Sequence, residues 1–146
     1  NIAACTINIS DAEGFGLATL ESLSCETPIL VNMTGGLQEQ VTDGEEWFGI
    51  GLEPASKAII GSQQVPYIYE DRLNKEDFID ALHKIYNMSK EERSALGKKG
   101  RAHVIKNYNF DDFRNRWTEL MDNVHEKHGS WDERKNHKTW EMKEIA

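Results

Sequence analysis

The chain has 146 residues, of which 38% are hydrophobic and 29% charged, enough for one domain with a modest core and incompatible with wholesale disorder. Its apolar runs, such as Pro28–Val31, last a few residues, which excludes a membrane-spanning helix of ~20 apolar residues. The net charge is -8, from 17 Lys and Arg against 25 Asp and Glu, which disfavours a polyanion held by a broad basic face, so any phosphate is expected to be met locally, by backbone N–H groups or by basic residues outside this chain.

Residues 3–9 are β-branched and apolar ahead of a polar break at Ser10 and Asp11, which predicts a short strand. Asp11–Gly16 is too rich in glycine for helix or strand and reads as a loop. From Leu17 the pattern turns helical, with Leu17, Leu20 and Ser24 on one face and Leu23 beside it, until Pro28 stops it. Ile29-Leu30-Val31 is then a continuous apolar strand of the parallel-sheet type. Thr34-Gly35-Gly36 turns the chain into a short helix, Leu37 to Val41, closed by Asp43-Gly44, and residues 48–52 form a glycine-diluted third strand. This alternation predicts an α/β fold with a doubly wound, Rossmann-like parallel sheet.

Residues 53–72 read as a long irregular connection with an apolar patch at Val65, Tyr67, Ile68 and Tyr69. Beyond them the chain becomes helical. Asn74 caps a helix whose inward residues are expected to be Phe78, Leu82, Ile85 and Tyr86. Ser89 and Glu92 form a capping box for the next, which runs to about Lys106. Asn109 opens a third, whose stripe of Phe110, Phe113, Trp117, Leu120, Met121 and Val124 is expected to be a core face. The organisation is therefore residues 1–72 as part of a Rossmann-like domain, 73–128 as its C-terminal helices, and 129–146 as a tail or crossover helix. Cys5 and Cys25 lie in apolar segments without a CxxC pair, so both are expected to be buried, reduced thiols in a cytoplasmic protein.

The segment richest in chemistry is Glu13-Gly14-Phe15-Gly16-Leu17-Ala18-Thr19-Leu20-Glu21. A glycine loop passes directly into a helix, whose first turn offers unpaired N–H groups and a partial positive charge suited to phosphate. Glu21 lies roughly 7.5 Å further along the helix axis, and an ionised carboxylate there is an acceptor for the hydroxyls of a sugar diol. Other constellations carry less. His125, His128 and His137 lie in a charged region with no Cys and no HExxH frame, so no metal is expected. Ser22 and Ser24 lie in no G-x-S-x-G elbow, so no hydrolase triad is expected.

At these residues the chain resembles the nucleotide-sugar-binding domain of retaining glycosyltransferases of the GT-B fold, family 4. That family's hallmark is a pair of glutamates with seven residues between them, here Glu13 and Glu21 around Gly-Phe-Gly-Leu. The following Ser24–Val31 stretch and Thr34-Gly35-Gly36 with Glu39, Val41, Asp43 and Gly44 continue the pattern in order. The resemblance is close over residues 1–52 and looser over the helices from 74 to 127. It implies that Glu13 is the catalytic glutamate beside the donor sugar. It further implies that the backbone of Gly14, Phe15, Gly16 and Leu17 holds sugar hydroxyls and diphosphate, and that Glu21 binds the nucleotide ribose. The implied reaction is retaining transfer of a sugar from a nucleoside diphosphate to an acceptor, with no cofactor and no metal.

The chain departs from the family pattern in three places. Ala18 stands where some relatives have a phosphate-holding Thr, Glu26 where a Gly is frequent, and the 53–72 connection is longer than expected. The basic pair for the diphosphate and the acceptor-binding N-terminal domain are expected outside this chain, which begins at Asn1 and reads as an excerpt. Alone it is expected to be inactive. In the full-length protein, whose setting is cytoplasmic or at a membrane surface, Trp131, Trp140, Met142 and Ile145 are expected to dock on the N-terminal domain or on a second copy. The alternative reading is a non-catalytic nucleotide-sugar-binding or interaction module of the same fold.

Overall fold

The computed structural model describes residues 2–130. They form two compact units, the first reaching Asn107 and the second starting at Tyr108.

The first unit is built on three parallel strands, β1 (Thr6–Asn8), β2 (Ile29–Asn32) and β3 (Gly49–Leu52), in the order β1-β2-β3. Register is set by Thr6 opposite Ile29 and Ile29 opposite Gly49. All four residues of β2 are buried, because helices cover both faces of the central strand. On one face Ile29 and Val31 pack with Leu23, Leu37, Val41 and Phe48. On the other, Leu30 packs with Ile50, Leu52, Ala81 and Ile85. The period-two alternation of β2 thus divides its side chains between two cores. The glycines of β3 have a packing reason: a methyl group on Gly49 would stand 2.6 Å from Ile29 Cγ1, and one on Gly51 2.5 Å from Met33 Sδ.

The helices of the first face are α1 (Leu17–Ser24), α2 (Leu37–Val41) and α4 (Lys90–Asn107). The buried residues of α1 are Thr19 and Leu23, while Leu17 is 68% exposed. Leu20 and Ser24, on the same face as Leu17, are half-buried, and the fully inward line is Gly16, Thr19, Leu23. α1 ends in a Schellman arrangement, with Thr27 N–H donating to Ser22 O (2.9 Å) and Glu26 N–H to Leu23 O (3.0 Å). Glu26 takes the left-handed conformation that this position demands, at φ 59°, so the turn forms without the usual glycine. Cys25, at the helix end, is exposed rather than buried, whereas Cys5 is partly buried against the core of Leu30, Ile50 and Leu52.

α4 shows almost no apolar face in its sequence, and its buried residues are Gly97, Gly100 and His103. A methyl group on Gly97 would meet the Glu26 carbonyl at 2.0 Å, so a bare α-carbon is what lets α4 lie against the end of α1. The capping box is present, with Ser89 N–H donating to Glu92 Oε2 (2.7 Å) and Glu92 N–H to Ser89 Oγ (3.1 Å). On the opposite face of the sheet lies α3 (Lys75–Asn87), capped by Asn74, whose side chain accepts from Glu76 N–H. Ala81 and Ile85 are its buried residues and Phe78 and Leu82 flank them. Tyr86 is 83% exposed, a correction that follows from its place about 100° around the helix from Ile85.

Residues 53–72 are not irregular. They contain an antiparallel hairpin, β4 (Ser56–Ile60) and β5 (Ile68–Arg72), paired from Ser56 opposite Arg72 to Ile60 opposite Ile68. The glycine and proline between the strands belong to the hairpin's connection, and the alternation Lys57, Ala58, Ile59 was too short to reveal a strand.

The second unit holds α5 (Phe110–His128), opened by Asn109, which accepts from Asp112 N–H at 2.8 Å. Its aromatic stripe is present, with ring centroids of Phe110 and Phe113, and of Phe113 and Trp117, 6.2 Å apart. No residue of α5 is buried, so the expected core face is an exposed apolar stripe. The tail residues Trp131, Trp140, Met142 and Ile145, and His137, lie outside the described residues.

Candidate functional site

The Asp11–Gly16 loop sits at the carboxyl end of β1, and the Thr34-Gly35-Gly36 turn at the carboxyl end of β2, where open parallel sheets place their ligands. The two segments touch backbone to backbone. A methyl group on Gly35 would lie 1.7 Å from Glu13 O, and one on Gly36 2.8 Å from Gly14 O and from Phe15 Cα. The Gly-Gly pair is thus the floor of the glycine loop, and no side chain fits between them.

Glu13 is half-buried, and its Oε2 lies 3.5 Å from Asn8 Nδ2. Asn8 is itself oriented by Ser10, whose N–H (3.1 Å) and Oγ (2.7 Å) both donate to Asn8 Oδ1, leaving its amide nitrogen for the carboxylate. Gly14 and Phe15 are exposed, and Gly16 is buried with φ 87°, a left-handed residue at the N-cap of α1. Leu17 and Glu21 both stand on the exposed side of α1. All six residues singled out in the sequence therefore belong to one loop and the helix it opens.

Helix beginnings in this unit differ in one respect. α3 and α4 carry side-chain caps and two acids each in their first turns, Glu76 and Asp77, Glu91 and Glu92. The first turn of α1 has no side-chain cap and no acidic residue.

Several residues that sequence reasoning missed hold this loop. Gln40 of α2 and Thr19 of α1 are fully buried and hydrogen-bonded to one another and to the loop carbonyls. The signal was a glutamine beside Val41 in a helix whose other inward residues are apolar, which reads as surface unless the burial is known. From the hairpin, Arg72 reaches Asp11 at 2.9 Å and Glu70 at 2.7 Å, and Asp71 N–H donates to Asp11 O at 2.8 Å. The Glu70 carboxylate, aided by Asp11, holds the Arg72 guanidinium above its ordinary value. This cation is engaged with carboxylates of its own chain. On the far side of α2, His103 Nε2 lies 2.9 Å from Glu39 O and its ring stacks on Phe48 with centroids 4.2 Å apart. Asn107 Nδ2 lies 2.9 Å from Nδ1, so the neutral ring with its proton on Nε2 satisfies both contacts. Asn32, buried at the end of β2, donates through Nδ2 to Ser10 O at 2.9 Å.

Among the described residues no cluster of three His, Cys, Asp or Glu side chains is arranged to hold a metal ion, and no helix is long and apolar enough to cross a membrane.

The loop pattern and the sheet beneath it are matched together in known proteins. The family model described as "Glycosyl transferases group 1" matches residues 1–103. This chain belongs to that family. The D-inositol 3-phosphate glycosyltransferase of Acidothermus cellulolyticus is 44% identical over 57 residues, which cover 38% of this chain and 13% of that protein. The structure of a sucrose-phosphate synthase from Thermosynechococcus elongatus superimposes with a TM-score of 0.60 at 22% identity, over 84% of this chain and 26% of the other. That likeness shows the fold, and the Rossmann-like part of a GT-B architecture expected from the sequence is the fold found. The chain spans about a quarter or less of the length of these two proteins.

Proposed function

We propose that this chain is the donor-binding part of a glycosyltransferase that moves a sugar from a nucleoside diphosphate to an acceptor with retention at the anomeric carbon. The observation that carries the reading is the start of α1: an uncapped, acid-free helix end behind a left-handed glycine, in a unit whose α3 and α4 are capped and acidic at the same point. Membership of the glycosyl transferases group 1 family supports it.

In this reading the N–H groups of Gly14, Phe15, Gly16 and Leu17 meet the diphosphate and the sugar hydroxyls. Neutralising charge as it develops on the departing diphosphate is electrostatic stabilisation by groups already fixed in place. Glu13, held toward the loop by Asn8, acts beside the donor sugar as an acceptor for its hydroxyls and as a negative charge near the reacting carbon. Glu21, one and a half turns along the helix, accepts from the ribose hydroxyls. No metal is assigned a role. Basic residues and the acceptor site are supplied from outside the chain, and the chain alone does not catalyse transfer.

Calorimetric titration of UDP, GDP and ADP into the full-length protein tests this reading. Binding of one of them, followed by release of that diphosphate from its nucleotide sugar and an anomeric configuration kept in the product, is the expected result. Failure to bind any of the three overturns the donor site. Binding without transfer to any acceptor sugar or alcohol leaves the non-catalytic module as the reading.

A further inference from the structure

Gln40 is fully buried and makes three contacts with the start of α1. Its Nε2 lies 2.6 Å from Phe15 O and 3.1 Å from Gly16 O, and its Oε1 lies 2.6 Å from Thr19 Oγ1. Two backbone carbonyls can only accept, so the nitrogen must face them, and this fixes the orientation of the amide. The Thr19 hydroxyl stands between two acceptors, Gln40 Oε1 at 2.6 Å and Gly16 O at 2.7 Å, and shares its single proton between them.

The consequence for the loop follows from the planarity of the peptide bond. In a trans peptide the C=O of one residue and the N–H of the next point in opposite directions. Drawing Phe15 O inward turns the Gly16 N–H away from Gln40, and the Gly16 carbonyl, held by Gln40 together with Leu20 N–H at 3.2 Å at the start of the α1 ladder, turns the Leu17 N–H the same way. Both of these N–H groups belong to the set that the proposed function assigns to the diphosphate. We propose that Gln40, supported by Thr19, is a positioning residue that orients the Gly16 and Leu17 amides toward the donor diphosphate. Apolar neighbours Leu37 and Val41, both fully buried on the same short helix, could fill space at this point but could not hold two carbonyls. Gln40 touches no substrate in this scheme; it acts through the peptide groups that it restrains.

The inference rests on the donor-site reading, and its test separates the two. Wild-type, Gln40→Met and Gln40→Glu full-length proteins are titrated with the nucleoside diphosphate that the wild type binds and with the matching nucleoside, which lacks phosphate. Met fills a similar volume without a donor. The expected result is a loss of at least ten-fold in diphosphate affinity for Gln40→Met, with nucleoside affinity changed less than two-fold. Gln40→Glu loses both donors when ionised and regains one when protonated, so its diphosphate affinity should recover as pH is lowered from 8 to 6 relative to the wild type. A merely structural role would weaken both ligands equally and give no such pH dependence; either result overturns the inference while leaving the donor site standing. Should Gln40→Met fail to fold, Thr19→Val and Thr19→Ser decide: selective loss of diphosphate binding in the first with recovery in the second supports the positioning role, and equal binding in both overturns it. A wild type that binds none of UDP, GDP and ADP overturns the donor site and this inference together.

Discussion

The α-carbon of Gly35 lies against the carbonyl of Glu13, so close that a methyl group there would stand 1.7 Å from the oxygen. The second glycine turn is therefore a packing partner of the first. Gly35 also has φ 49°. Gly35→Ala should cost about 1–3 kcal/mol through overpacking and displace the Glu13 carbonyl. Gly14→Ala, with nothing within 4 Å of the added methyl group, should leave the thermal midpoint within a few degrees of wild type. Melting curves of the two full-length variants check the contrast; equal midpoints would mean that the two turns separate without cost.

Glu21 is exposed on α1, and no packing depends on it. In the proposed donor site it binds ribose hydroxyls, and hydrogen bonds to a charged acceptor contribute about 1.5–3 kcal/mol. Glu21→Ala should then weaken nucleoside diphosphate binding by roughly one to two orders of magnitude with an unchanged melting curve. The comparison with a 2′,3′-dideoxy nucleotide is decisive, because the variant and the wild type should bind that ligand alike.

Glu26 occupies the left-handed position of a Schellman motif at φ 59°. Its carboxylate is 3.9 Å from Arg101 Nε, an exposed pair of small worth. A non-glycine residue in this region costs about 1–2 kcal/mol. Glu26→Gly should accordingly stabilise the protein by about 0.5–1 kcal/mol after loss of the ion pair, measured as a higher urea midpoint. A lower midpoint would show that the contact with Arg101 outweighs the backbone term.

The two cysteines should react at different rates. Burial pushes the Cys5 thiol from 9.0 up to about 11, against a smaller opposing effect of the Leu30 backbone, whereas Cys25 is exposed at a helix end. A raised thiol pKa contributes stability that is complete below pH 9 and is lost as pH rises from 9 to about 11. At pH 8 iodoacetamide should modify Cys25 well ahead of Cys5, with Cys5 following above pH 10. Mass spectrometry of tryptic peptides reads both sites, and early modification of Cys5 would contradict its burial.

The sequence by itself determined the elements whose signals are local. The apolar run Ile29–Val31 gave a buried parallel strand, Asn74, Ser89 and Asn109 marked three helix starts, and Leu37–Val41 was bounded by its own glycines and threonine. It also located Glu13, Gly14, Phe15, Gly16, Leu17 and Glu21 on one loop and one helix, because a glycine turn before an apolar helical pattern needs nothing distant. What only the tertiary structure decided were features whose cause lies elsewhere in the chain. Gln40 and Thr19 look like surface residues until the carbonyls of Phe15 and Gly16 are placed beside them. The glycines of α4 disfavour a helix locally, and are explained by the Glu26 carbonyl against Gly97. The hairpin of residues 56–72 takes its pairing from two five-residue segments separated by residues 61–67, and neither segment alone shows which partner it will find. The stripe of α5 has the period of a core helix, but period fixes only that one face is apolar; whether a partner covers it is decided by what packs against it, and here each of its large side chains remains exposed.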